Sequence, residues 1–357
     1  MINSLVLQNF RCFETLSLQF EKKHILLSGS NGQGKSSVLE AVFFLANLRS
    51  FRTARISDMF RIGTQAFRIQ AAASVGAFPQ RFEIEQNGAA RRLRIDTKPI
   101  ARSSDFCGGL RTIAFLPDDP LILTGSSQQR RRFFDMFISM MDREYFRCLQ
   151  KYSTALKTRN LLLREQNMKN DVLDAWDEIL AENGSKIVAM RKTYSGILAD
   201  FMRTLLQNLR PEMADFKIQM RHTRETETKE GFRKRLAAQL NRDRTARFTS
   251  SGPHADDFDF LFDNKSLRVC GSRGQCRIIS FAMKMAELEI VNSRPSGKTI
   301  VLIDDAAADL DQRAREAFYS KIESAAQIFH ASTDPDPIFN AEQAQIIIPG
   351  QRSQQYV

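Results

Sequence analysis

The sequence is poor in cysteine and almost without tryptophan. Among 357 residues there are five cysteines, Cys12, Cys107, Cys148, Cys270 and Cys276, and one tryptophan, Trp176. No two cysteines form a C-x-x-C pair, and no Cys/His cluster has zinc-ligand spacing. An odd number of cysteines cannot be fully paired, so a disulfide framework is not expected and a reducing, cytoplasmic compartment is. Apolar runs long enough to span a bilayer are also missing, so no membrane partner is expected. The opening residues Met1–Leu5 lack a basic stretch leading into a long apolar one, and no secretory leader is expected. There is no internal repeat and no low-complexity tract. Acidic residues are in deficit: 41 Asp and Glu stand against 52 Lys and Arg, a formal charge of +11. That balance favours an acidic partner, nucleic acid first. A generally basic, solvated surface gives the same balance.

Against these absences one stretch stands out, Gly29-Ser30-Asn31-Gly32-Gln33-Gly34-Lys35-Ser36. It fits the phosphate-binding pattern G-x-x-x-x-G-K-[ST]. The apolar run His24–Ser28 before it has strand length, and Ser36–Leu48 after it reads as a helix with Val38, Leu39, Val42, Phe43 and Leu45 on a wide apolar face. Glycines let successive N–H groups turn toward one anion, and the helix end adds its dipole. Lys35 would reach the β- and γ-phosphates, Ser36 would hold Mg²⁺, and Ser37 completes the loop's contacts. The loop predicts a nucleoside triphosphate, ATP, with Mg²⁺.

Ser4–Phe10 and Leu16–Phe20 alternate and predict an antiparallel pair ahead of the loop, with Arg11 at their turn, placed either over a bound base or as a surface charge. Ser50-Phe51-Arg52-Thr53 opens a polar connection. Phe67–Val75, Arg81–Gln86 and Ala90–Asp96 read as strands, the last two joined through Asn87-Gly88. Thr112–Leu116 is a further strand. From about Ser126 to Leu240 the pattern is helical, with two long helices over Tyr145–Glu165 and Val172–Leu209 packed antiparallel around Trp176.

Arg130, Arg131 and Arg132 open this lobe. Arg221–Arg247 closes it with a dense basic stretch that includes Arg233, Lys234 and Arg235, interleaved with Glu225, Glu227 and Glu230. These are read as DNA-phosphate contacts, with a solvated helix face laced by i,i+4 pairs as the alternative. Phe258–Phe262 and Ser266–Val269 predict a hairpin, and a helix is expected from Cys276 to Asn292 after Gly271–Gln275.

Thr299–Ile303 reads as a buried strand with Asp304 and Asp305 at its carboxyl end, a Walker B pattern. Asp304 would hold Mg²⁺ through water beside Ser36, and Asp305 would orient or deprotonate an attacking water, acting with Lys35 as the catalytic pair. The two halves of this site lie far apart in sequence. That spacing suits an α/β head of the ATP-binding-cassette type, with a mixed sheet, an antiparallel β layer and a helical second lobe. The expected boundaries are 1–125 and 248–357 for the head and 126–247 for the lobe. Such heads need a second signature, a serine at a helix start, and Ser272-Arg273-Gly274-Gln275 supplies it. Ser272, Gly274 and Gln275 would then cap the γ-phosphate of a partner's ATP.

The chain closely resembles the RecF family over nearly its whole length. The resemblance rests on Asn9–Arg11, the phosphate loop, Ser50–Thr53, Phe115-x-Pro117-Asp118-Asp119, Gly125-Ser126 with Arg130–Arg132, Phe134-Asp135, Ala155–Lys157 with Arg159-Asn160, Ser251-Gly252-Pro253-His254 with Asp256-Asp257, Ser272–Gln275, and Asp304-Asp305 through Leu310-Asp311. It implies an ATP-dependent homodimer on duplex and gapped DNA, slow ATP hydrolysis, and work with RecO and RecR in loading RecA. Departures from the family pattern are Ala255 after Gly-Pro-His, Cys276 after Ser-Arg-Gly-Gln, Ser127 for Pro, Asp309 for Glu, and the small run Ala306–Ala308. No glutamine is assigned to a Q-loop, and His330 stands early for a switch histidine. Two other readings share the motifs. One is a transporter's ATPase subunit, which usually carries L-S-G-G-Q where Arg273 interrupts here. The other is an ATP-switched tether with negligible hydrolysis, tenable because Asp305 replaces the usual glutamate.

Overall fold

The computed structural model describes residues 1–75, 78–107, 109–165, 170–294, 299–305, 311–332 and 344–349. Along the chain run β1 (Ile2–Phe10), β2 (Phe13–Gln19), β3 (His24–Ser28), α1 (Lys35–Asn47), β4 (Ala66–Val75), β5 (Phe78–Asn87), β6 (Ala90–Ile95), β7 (Lys98–Pro99), α2 (Ser103–Phe106) and β8 (Thr112–Phe115). Then follow α3 (Leu121–Thr124), α4 (Ser127–Met141), α5 (Arg143–Leu162), α6 (Asn170–Leu209), β9 (Phe216–Arg221), α7 (Lys229–Ala246), β10 (Asp257–Phe262), β11 (Lys265–Ser266), α8 (Leu267–Cys270) and α9 (Arg273–Asn292). The last elements are β12 (Ile300–Asp304), α10 (Gln312–Ile322), β13 (Gln327–Ser332) and β14 (Ala344–Ile347).

Two compact units result, residues 1–117 with 287–357, and residues 118–286. The segment from 248 to 286, assigned from sequence to the head, therefore groups with the helical lobe. Leu310 and the departures Ala306–Ala308 and Asp309 lie outside the described residues.

The first unit holds two sheets. One is antiparallel, in the order β2-β1-β4-β5-β6-β7; the other is wholly parallel, in the order β14-β3-β13-β12-β8. The alternation read in Ser4–Phe10 places Leu5 and Leu7 in the core and leaves Ser4, Val6 and Gln8 on the open face. The continuous apolar runs of β3 and β12 are buried on both sides, as strands of a covered parallel sheet must be. Helix α1 is buried almost all round, against β8, β12 and β13 of the parallel sheet and β5 of the other. Phe44 meets Phe67 edge-on at 5.7 Å, and Arg91 lies 5.1 Å over the Phe44 ring. In the β5–β6 hairpin Asn87 pairs with Ala90, and Gly88 takes the left-handed turn position with φ 52°.

The second unit packs α4–α7 with the antiparallel sheet β11-β10-β9. Strand β9 was not expected. Phe216, Ile218 and Met220 alternate with polar residues, but the segment lies between helices and its pairing partner β10 begins far along the chain. The predicted second hairpin strand shrinks to Lys265–Ser266, because the chain turns into α8 at Leu267. Helices α5 and α6 run antiparallel: Tyr145 meets Arg191, while Arg159 meets Asp177. Trp176 is only half-buried; its neighbour Asp177 faces inward to pair with Arg159 instead. Phe134 stacks on Phe258 at 3.9 Å and 22°, fixing α4 on the sheet.

Inside this unit two buried arginines organise the polar core. Arg159 bonds Asp177 at 2.5 Å, Asp243 at 2.8 Å and Thr249 at 2.9 Å. Arg191 bonds Asp135 at 2.8 Å, Asp256 at 3.0 Å and the Pro253 carbonyl at 2.6 Å. His254 joins them through the Tyr152 hydroxyl at 2.6 Å and the Thr249 carbonyl at 2.8 Å. Burial pushes Asp256 up to about 6, against the pull of Arg191. The Ser251–His254 turn is thus a structural knot. Gly252, at φ 138°, leaves no room for a side chain, since a Cβ would stand 2.3 Å from the Tyr152 hydroxyl.

Candidate functional site

Strand β3 ends at Ser28, level with Ser332 of β13, and Asp304 of β12 is level with Ala331. The phosphate loop and Asp304 therefore emerge at the carboxyl edge of one parallel sheet, where open α/β sheets bind ligands. Gly29, Gly32 and Gly34 have φ of 138°, 85° and 89°, so the loop curls through conformations that side chains resist. Ser30, Asn31, Gly32 and Gln33 are exposed, and Ser37 is buried behind them at the start of α1. A Cβ at Gly34 would stand 2.3 Å from Phe13 Cζ and 2.8 Å from Cys12 Sγ. The β1–β2 turn thus presses directly on the loop's last glycine.

Lys35 is buried, and its Nζ donates to the Gly29 carbonyl at 2.5 Å and the Ser30 carbonyl at 3.1 Å. The charge is held inside the curl of the loop, where phosphate oxygens would take over from those carbonyls. Ser36 Oγ donates to Asp304 Oδ1 at 2.9 Å, joining the two halves of the site across the sequence. Burial pushes the Asp304 carboxyl above its ordinary range, opposed by the Ser36 hydrogen bond and by Arg52 and Lys35; Asp305 adds to the rise. Asp305 is exposed just beyond the strand, in the left-handed region at φ 49°, with its N–H on the Ala331 carbonyl at 3.2 Å.

Among the described residues no group of three or more His, Cys, Asp or Glu is placed to bind a metal. A hydroxyl and one carboxylate at the mouth of a phosphate loop suit Mg²⁺, which keeps waters and shares phosphate oxygens.

His330 lies inside β13, level with Leu26 and Ile303, and is buried. It stands short of the strand end, so it does not reach the edge where Asp304 and Ser28 emerge. Arg11 is not laid open above the loop. Its guanidinium is locked edge-on to Glu40, a pair that the sequence reading missed. The available signal was an acidic residue at i+4 from Ser36 inside the apolar run Val38–Val42.

In the second unit Ser272 caps α9. Its N–H donates to Gln275 Oε1 at 2.9 Å, and Gln275 N–H donates to Ser272 Oγ at 3.2 Å, a reciprocal capping box. Ser272 and Gly274 are exposed, Gln275 is half-buried, and a Cβ at Gly274 would meet nothing within 4 Å. The helix start is exposed.

The expected DNA contacts divide. Arg130 is 1% exposed, donates twice to Asp257 at 2.7 and 3.0 Å, and also bonds the Gly125 carbonyl at 2.6 Å. It is a core residue, because its partner Asp257 arrives from a strand 127 positions away. Arg131 is half-buried and bonds the Asp256 carbonyl at 2.5 Å; Arg132 is half-buried. On α7, Arg233 pairs with Glu178 at 3.1 Å and Arg235 with Glu225 at 3.5 Å. Lys234, Arg242 and Arg247 stand exposed.

Removing Arg130 leaves Asp257, among the described residues, with the Phe258 N–H at 2.8 Å and the more distant Arg268 at 3.6 Å. Arg130→Ala is therefore expected to destabilise the second unit by about 3 kcal/mol, the lower end for breaking a buried pair, in denaturant titrations. A variant of unchanged stability would show that the clamp is dispensable.

The fold is an α/β P-loop head of the ATP-binding-cassette type with a helical lobe. The family model for the RecF/RecN/SMC N terminal domain matches residues 1–354. The DNA replication and repair protein RecF of Ruminiclostridium cellulolyticum is 30% identical over 352 residues, covering 95% of this chain and 94% of that one. That of Lachnoclostridium phytofermentans is 30% identical over 327 residues, covering 90% of each. The solved structure of the recombination mediator protein RecF with ATP, in the RecFOR pathway, is similar with a TM-score of 0.84 at 27% identity, over 94% of this chain and 92% of that one. A second RecF structure, with ATPrS, gives 0.83 at 26% identity over 98% and 96%. The chain belongs to the RecF family. No helix among the described residues is long and apolar enough to cross a membrane.

Proposed function

We propose that the protein is an ATP-switched DNA-binding protein of replication and repair, which dimerises around ATP and helps load RecA at gapped DNA together with RecO and RecR. The observation that carries this reading is the Ser36–Asp304 hydrogen bond at the mouth of a curled phosphate loop. The RecF relatives and the ATP-containing RecF neighbours support it.

In this reading Gly29–Gly34 turn N–H groups toward the phosphates, and Lys35 moves from the loop carbonyls to the β- and γ-phosphates. Ser36 and Asp304 hold Mg²⁺, which supplies charge neutralisation at the phosphates when bound. Asp305 orients the attacking water and serves a slow hydrolysis that resets the switch. The exposed start of α9, with Ser272 and Gly274, caps the γ-phosphate of the partner subunit's nucleotide. Phosphate contacts to DNA fall to the exposed cations Lys234 and Arg242 of α7 and Arg247 just beyond it, rather than to Arg130.

Solution mass with and without ATP and Mg²⁺, on a duplex carrying a gap, tests the whole reading. A shift to dimer that needs ATP and is strengthened by DNA is expected, with DNA affinity falling steeply as salt rises. A protein that stays monomeric with ATP and ignores duplex DNA would refute the proposal.

A further inference from the structure

Glu40 is fully buried on α1, one turn beyond Ser36, and is surrounded by cations and donors from two separate loops. Arg11 Nε donates to its Oε2 at 2.7 Å and Arg11 Nη2 to its Oε1 at 2.6 Å. Ser50 Oγ donates to Oε1 as well, and Arg52 Nη1 stands 3.8 Å from Oε2. A buried carboxylate costs several kcal/mol unless paired this fully, so the site is built around the charge.

Each partner leads back to the phosphate loop. Arg11, at φ 54°, sits beside Cys12 and Phe13, the two residues that press on Gly34. Its third bond, to the Asp58 carbonyl, ties the same turn to the chain beyond α1. Ser50 Oγ accepts from the N–H groups of Arg52 at 2.9 Å and Thr53 at 3.1 Å, which sets the loop that carries the Arg52 charge. That charge is felt at Asp304, where it favours the ionised carboxylate.

We infer that Glu40 is a positioning residue of the nucleotide site, acting through Arg11: it fixes the β1–β2 turn against Gly34 and so holds the phosphate loop in its curled form. Three of the five N–H donors of Arg11 are committed, two of them to this one carboxylate. Without the carboxylate, Arg11 loses its anchor and the wall behind Gly34 moves with it. The inference rests on the nucleotide reading of the loop.

A double-mutant cycle decides it, with a fluorescent ATP analogue titrated against the full chain. Glu40→Gln keeps the shape and removes the charge. It is expected to weaken analogue binding about tenfold in the wild-type background, but less than about twofold in an Arg11→Met background. Glu40→Asp, which keeps the charge, is expected to restore most of the affinity. A residue that only supported the fold would lower the melting temperature without this coupling to Arg11. Equal losses in both backgrounds, or no loss in either, would overturn the inference alone. Should Glu40→Gln not fold, Arg11→Met alone is read instead, and an analogue affinity unchanged from wild type there overturns the inference. A wild-type protein that does not bind the analogue overturns the nucleotide reading, and this inference with it.

Discussion

Lys35→Met is expected to lower ATP affinity at least roughly thirtyfold, the effect of about 2 kcal/mol or more for truncating one side of a buried, hydrogen-bonded charge pair. Methionine fills nearly the same volume, so packing against the loop is kept. What disappears is the ammonium that now bonds the Gly29 and Ser30 carbonyls and would turn to the phosphates. The loss of those two bonds in the free protein bears on stability by about 1 kcal/mol each at most, because the loop carbonyls lie near solvent. Calorimetric titration with ATP and Mg²⁺, alongside a melting curve, separates the two effects. Near-normal affinity would mean that the loop binds its nucleotide by backbone N–H groups alone.

Ser272→Arg carries the second large effect, and it falls on assembly rather than on binding. Ser272 is exposed at the start of α9, beside Gly274 with open space around it, so arginine is expected to be accommodated in the monomer. The capping box with Gln275 is lost, at a cost of about 1 kcal/mol to the helix. Monomer ATP affinity should stay within about twofold, while ATP-dependent dimerisation should be abolished, since a long cation would occupy the place of the γ-phosphate cap. Sedimentation of wild type and variant with ATP and Mg²⁺ reads the difference. A variant that still dimerises with ATP would show that Ser272 makes no contact across the dimer. With Lys35→Met failing at binding and Ser272→Arg failing only at assembly, the two changes place the steps in order.

The contiguous parts of the site were legible because their geometry is local. Gly29, Gly32 and Gly34 curl one short loop, and the apolar run of β12 delivers Asp304 to its end. Each depends on a few neighbouring φ and ψ values and on strand or helix period. The assignments that changed all depend on a distant partner. Arg130 looked like a DNA contact until Asp257, 127 residues on, proved to be its counter-charge. Trp176 yielded the core to Asp177 because Arg159 needed a carboxylate.

The sequence by itself determined the glycine-rich turn between β3 and α1, the strand ending at Asp304, a serine ahead of a helix and the alternation of β1, since these follow from residue type and spacing along a single segment. Tertiary structure alone decided which charges face solvent and which sit in the core, that β9 is a strand, and that Glu40 gathers Arg11, Ser50 and Arg52 beside the loop. A buried charge is stable only with its partner in place, and that partner is named by the fold rather than by the neighbouring residues.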